Sequence, residues 1–161
     1  MTTLKLHPLT AEAFAPFGDV LEATGDFRPI NEGLCKRHHD RARLDMAPEV
    51  DPSNRAGISI FNATPRALPY HFDLVERHPE GSQAFIPMTQ NPFLVIVTAD
   101  TSSTPLAFVT NGAQGINLHR GIWHGVLAPL AAPGLFAVVD RIGASANLEE
   151  FRYPKPWLIE G

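Results

Sequence analysis

The chain has 161 residues, a formal charge of −4, and 44% hydrophobic against 19% charged side chains. That length supports one domain with a core of its own. The acidic balance excludes the basic face that nucleic acid or anionic lipid would need. The one cysteine, Cys35, excludes an internal disulfide. Met1 to Pro16 carries no apolar core of leader length, and no stretch nears the roughly 20 apolar residues of a membrane span. These features point to a cytoplasmic protein with no membrane partner.

In chain order, the first expected element is a helix. Thr10 is placed to cap it, Glu12 sits in its first turn, Phe14 and Phe17 share a face, and Gly18 ends it. The charged stretch Arg41 to Arg55, with Pro48 and Pro52, reads as a surface excursion. Six strands are expected: Gly57 to Ala63, Gln83 to Met88, Phe93 to Ala99, Leu106 to Thr110, Ile122 to Leu127 and Leu135 to Ile142. Asn91-Pro92, Asn111-Gly112 and Pro133-Gly134 punctuate them as turns. Phe93 to Val97 is apolar on both parities, so both its faces should be buried. Leu148 begins a short acidic stretch and a proline-bearing tail that runs to Trp157. Fifteen prolines and twelve glycines are scattered without repeat, as in a chain of many short elements. The expected architecture is a single all-β barrel or sandwich over residues 1–161 with a peripheral helix.

Two groups of side chains could carry chemistry. In His119-Arg-Gly-Ile-Trp-His124, strand alternation sets Ile122, His124 and Val126 on one face, while His119 approaches from before the Gly121 turn. Histidine supplies a neutral metal ligand or a base near neutral pH. The alternative is a pair of rim histidines satisfied by backbone carbonyls. In the second group, Glu76 and His78 are two apart and share a face on a strand, and Gln83 can fold back over them after Pro79-Glu-Gly81. The alternative there is a hairpin with solvated charges.

Glu76-x-His78 followed by Gln83, and His119-x-Gly121-x-x-His124, resemble the two cupin motifs in spacing, with Glu in place of the first His, Gln in place of the Glu, and His119 in place of the Pro. Longer runs sharpen the likeness. Glu76-Arg-His-Pro-Glu-Gly-Ser-Gln-Ala-Phe-Ile-Pro-Met88, Asn111 to His124 and Val139-Asp-Arg141 are similar to the ureidoglycolate lyase family, within the cupin group. Pro8-Leu-Thr-Ala-Glu-Ala-Phe14, Phe17-Gly-Asp19 and Arg37-His-His-Asp40 extend the resemblance over nearly the whole chain. It implies a cupin-like β-barrel, a homodimer and a step of allantoin, hence purine, breakdown: cleavage of (S)-ureidoglycolate to glyoxylate and urea.

The implied chemistry assigns roles to residues. His78, His124, His119 and Glu76 are the candidates for proton transfer. A nickel requirement is associated with the family, and His78, His124, Gln83 and Glu76 offer N and O ligands for nickel or another divalent metal. Arg37, Arg120 and Arg141, with Gln83, are candidates for binding the small-molecule substrate, since an arginine fork suits its carboxylate. Asp140-Arg141 can equally be a salt-bridged strand end, and Arg37 to Asp40 a solvated charge run or a contact from a partner subunit. His7 and His71 are assigned to structure or solvent, and Trp123 and Phe85 to packing. Two other functions remain compatible: an amidohydrolase releasing ammonia and carbon dioxide from the same compound, and a non-catalytic cupin that binds a small metabolite.

Overall fold

The computed structural model describes residues 1–161. Strands dominate: β1 (Thr2–Leu4), β2 (Leu6–Pro8), β3 (Gly18–Leu21), β4 (Arg28–Ile30), β5 (Cys35–Arg37), β6 (Arg55–Asn62), β7 (Tyr70–Arg77), β8 (Gln83–Pro87), β9 (Phe93–Thr98), β10 (Leu106–Val109), β11 (Gly115–Leu118), β12 (Trp123–His124), β13 (Ala128–Pro129), β14 (Leu135–Ile142) and β15 (Glu149–Ile159). One helix, α1 (Ala11–Phe14), joins β2 to β3. The larger sheet runs β1-β15-β7-β12-β9-β10-β2, with β13 also on β9. The second runs β3-β11-β8-β14-β6, and β4-β5 form a separate hairpin. This is the all-β, barrel-like architecture that the cupin resemblance implies.

The two sheets face each other across one apolar core. Phe93, Val95, Val97 and Phe108 come from the larger sheet, and Val20, Phe85, Ile116, Leu118, Phe136 and Val138 from the other. Leu94 and Ile96 are buried on the far side of β9, where Ile96 joins a second cluster with Phe72, Val75 and Tyr153. Both faces of β9 are therefore covered, as its unbroken apolar run dictates.

Three expectations need correction. The helix is shorter than the spacing suggests. Thr10 caps it by accepting from the Ala13 N–H at 3.2 Å, and Phe14 and Phe17 do share the core, but Gly18 opens β3. A Cβ on Gly18 would lie 2.0 Å from the Asn117 carbonyl oxygen, so glycine is needed there for close approach of two backbones. Of the strand expected over Ile122 to Leu127 only Trp123–His124 forms, as β12, and pairing resumes beyond it at β13, Ala128–Pro129. Gly121 is left-handed (φ 80°); the Gly125 N–H still donates to the Ile96 carbonyl at 2.9 Å in register with β12, but the pairing with β9 has slipped by one residue at Ala128, so alternation does not run through the segment. The proline-bearing tail is β15, a strand between β1 and β7. Pro154 and Pro156 fall in an irregularity between Arg152 and Trp157, where no ladder bond is demanded of them.

Candidate metal and active centre

Three connections converge at one end of the barrel: residues 78–82 between β7 and β8, 119–122 between β11 and β12, and 143–148 between β14 and β15. Hydrogen bonds tie them. The Gly121 N–H donates to the His78 carbonyl at 3.0 Å, and the Arg120 Nε–H to the Pro79 carbonyl at 2.6 Å. The Asn147 side-chain oxygen accepts from the Glu80 N–H at 2.7 Å.

Glu76, His78 and His124 meet at this end. β12 pairs with β7 so that His124 lies opposite Glu76, and His78 follows β7 on the parity of Glu76. One ligand atom of each lies within 4.8 Å of the others. The His78 and His124 ring centroids are 5.2 Å apart.

Each imidazole is held through Nδ1. His78 Nδ1 lies 2.7 Å from the Asn147 carbonyl, and His124 Nδ1 lies 3.0 Å from the Gly125 carbonyl. A carbonyl only accepts, so both Nδ1 atoms donate, and in the neutral ring this tautomer leaves Nε2 with its lone pair. Both Nε2 atoms are buried and have no partner. Rim histidines satisfied by carbonyls account for half of this arrangement only. The bare Nε2 pair beside a carboxylate could hold a divalent metal, and the carbonyls sit where they would orient ligating histidines.

The electrostatics agree. Burial pushes the His124 pKa down to about 4, against a smaller opposite pull from the Gly125 carbonyl, and nearby His78 lowers it further. His124 is therefore neutral at pH 7 and available as a ligand. Burial lifts the Glu76 carboxyl above its ordinary value; His78 offsets this in part and Glu150 adds to it. A desolvated carboxylate beside the neutral His124 imidazole favours a cation or a proton.

The other nominated residues divide. Gln83 is buried at the start of β8, in the opposite sheet, and its Nε2–H donates to Asp140 Oδ2 at 3.1 Å while Oε1 has no partner. His119 lies outside the triad. Its Nε2 is 3.5 Å from Asp19 Oδ2, and it lines an open cleft of 770 Å³ with Arg43, Asp45, Glu49, Ser82 and Arg120. Arg120 is paired with Glu49 and lies 3.8 Å from Asp45. Arg141 is buried, donates to the Ser145 carbonyl at 2.8 Å and lies 3.6 Å from Glu80. Arg37 is on the β4-β5 hairpin, which pairs with no strand of either barrel sheet.

Sequence reasoning missed Asn117, Asp19 and Asn147. Asn117 is fully buried on β11, and its amide donates to Asp19 Oδ2 at 3.0 Å and to the Arg43 carbonyl at 3.1 Å. Its one sequence signal is an amide between Ile116 and Leu118 in an apolar strand.

The ureidoglycolate lyase family model matches residues 1–160. The chain belongs to the ureidoglycolate lyase family. A ureidoglycolate lyase of Rhodobacter capsulatus is 56% identical over 165 residues, covering 100% of both chains. One from Mesorhizobium japonicum is 50% identical, covering 99% of this chain and 98% of its own. One from Pseudomonas aeruginosa is 47% identical, covering 93% and 90%. For a ureidoglycolate lyase family member, the cluster of half-buried Glu76 and His78 with buried His124 is the one group of His, Cys, Asp and Glu side chains in this fold placed to hold a metal through three residues.

Proposed function

We propose that this enzyme is a lyase that cleaves (S)-ureidoglycolate to glyoxylate and urea, a step of allantoin breakdown in the cytoplasm. The observation that carries the reading is the pair of buried, partnerless Nε2 atoms of His78 and His124 beside Glu76, in a family member. The site is carried on a single cupin-like domain over residues 1–161.

His78, His124 and Glu76 would hold a divalent ion such as nickel, with Gln83 Oε1 as a further oxygen donor. A bound ion supplies Lewis acidity toward the substrate carboxylate and hydroxyl. The chain's own residues move the proton. Where it is not engaged by the ion, the Glu76 carboxylate, made more basic by burial, accepts the carbinol proton. The electron pair forms the glyoxylate carbonyl, the C–N bond breaks, and the proton returns to the departing urea nitrogen. No water is consumed and no covalent nucleophile is required. His119, steadied by Asp19, faces the cleft and contacts the ureido end.

The enzyme acts as a homodimer. On the outer face of the smaller sheet, Ile86, Ala137 and Ile60 form one row across β8, β14 and β6. Ile58 stands beside it, and Ile58, Ile60 and Ile86 are all exposed. Such a face on an unpaired edge strand is a natural contact for a second copy.

The test is product release from each ureidoglycolate enantiomer, with and without chelator and added nickel. Glyoxylate and urea in equal amounts from the S form, lost to chelator and restored by metal, is the expected result. Ammonia in place of urea would assign an amidohydrolase, and a stable complex without turnover a binding protein.

A further inference from the structure

Residues 23–37 are exposed without interruption. The strands within them, β4 and β5, pair with each other and with no strand of either barrel sheet. An isolated two-stranded hairpin is marginal in water and needs a surface to pack on. This one turns Phe27, Ile30 and Leu34 outward, with Leu34 88% exposed. Its shape is nonetheless specified. Asn31, Glu32 and Gly33 are all left-handed, at φ 52°, 58° and 84°. Glycine and asparagine tolerate that region; glutamate does not, and it persists where surroundings hold it. The Lys36 ammonium lies 4.9 Å from the Phe27 ring centre.

Arg28 and Arg37 stand directly opposite on the hairpin. Like charges so placed disfavour the pair, and neither takes part in any of the molecule's ion pairs. At the mouth the situation is reversed. Arg120 is engaged by Glu49 and Asp45, and Arg141 by Glu80. Of the three arginines nominated for the substrate carboxylate, Arg37 alone is free, and its own fold leaves it on the hairpin.

Building on the dimeric lyase reading, we propose that the hairpin is an exchanged arm: it docks on a second copy of the chain and delivers Arg37 to that copy's active centre. Leu34 seats on the outward isoleucines Ile58, Ile60 and Ile86, which nothing in their own chain covers. Arg28, Lys36 and Arg37 leave the arm cationic against Glu32 alone, and it brings a free arginine to a mouth whose own arginines are already engaged by Asp45, Glu49 and Glu80. A two-fold axis makes the exchange reciprocal and closed. Arg37 is then a substrate-binding residue acting across the interface.

Cys35, the single cysteine, sits on the arm and is exposed. Labelled there with a benzophenone maleimide in a co-expressed mixture of light and nitrogen-15 chains, the protein should give covalent dimers on irradiation. Light–heavy cross-links should map to residues 56–60 or 84–88. Cross-links confined to one chain would overturn the exchange. A second measurement tests Arg37. Co-expressed Arg37→Ala and His124→Asn chains form half hybrid dimers, each with one intact site, so about a quarter of the parental glyoxylate release should return. A mixture no more active than the two variants separately would overturn the role of Arg37. Parent protein inert on ureidoglycolate would instead sink the lyase reading, and the cross-link still decides the docking.

Discussion

His124 is the deepest of the three metal-type donors, and its loss leaves nothing to replace a bare Nε2 in a buried space. We expect His124→Ala or His78→Ala to lower kcat/KM by at least about 10²-fold. Calorimetric titration with nickel should show the matching loss of affinity, while circular dichroism confirms that the barrel persists. Gln83→Leu removes an unsatisfied buried oxygen together with one hydrogen bond to Asp140, so its effect on stability should stay within about 1 kcal/mol. Activity should nevertheless fall, and unchanged kinetics would remove Gln83 from the site. Glu76 and His78 were legible as a pair because residues two apart on a strand share a face, and His124 joined them through the likeness to the two cupin motifs. Asn117, Asp19 and Asn147 were not, because their roles arise from contacts between segments far apart in the chain. His78 takes its orientation from the Asn147 carbonyl, a backbone atom that every residue possesses.

At the scale of elements, short turns carry testable electrostatics. Asp100, between β9 and β10, accepts from the hydroxyls and N–H groups of Ser102 and Ser103 at 2.7 to 2.9 Å. Those bonds, led by the Ser102 and Ser103 hydroxyls, hold its pKa down to about 2 from 3.8. A carboxylate lowered on folding stabilises above its unfolded pKa, and the contribution fades as pH falls from about 4 toward 2. Asp100→Asn should therefore be less stable than the parent at pH 7, with the gap in urea midpoints closing over that acidic window. The strands whose limits could be read were those with β-branched or aromatic runs bounded by turn residues, such as β9 and β14. β7 and β15 were not read as strands. Tyr70 to Arg77 alternates weakly and is charged, and prolines mask Glu149 to Ile159. Pairing overrode propensity in both, since each supplies the other's hydrogen bonds along seven registered positions.

The whole molecule depends on aromatic packing between the sheets. Phe93 and Phe136 meet edge to face at 5.0 Å, and both are almost fully buried. Phe93→Ala should cost about 3–5 kcal/mol, read as a shift in the denaturation midpoint. On the outside, Ile60→Arg should leave the melt near the parental one but shift sedimentation toward the monomer. The order of strands has a further consequence. β15 is inserted between β1 and β7, so the strand that bears Glu76 has β12 alone beside it until residues 149–159 exist. Synthesis runs from the N-terminus, and the larger sheet therefore stays open on the ribosome until β15 has been made. A nascent chain arrested at residue 148 should be cut readily by protease within β7, where the finished protein resists.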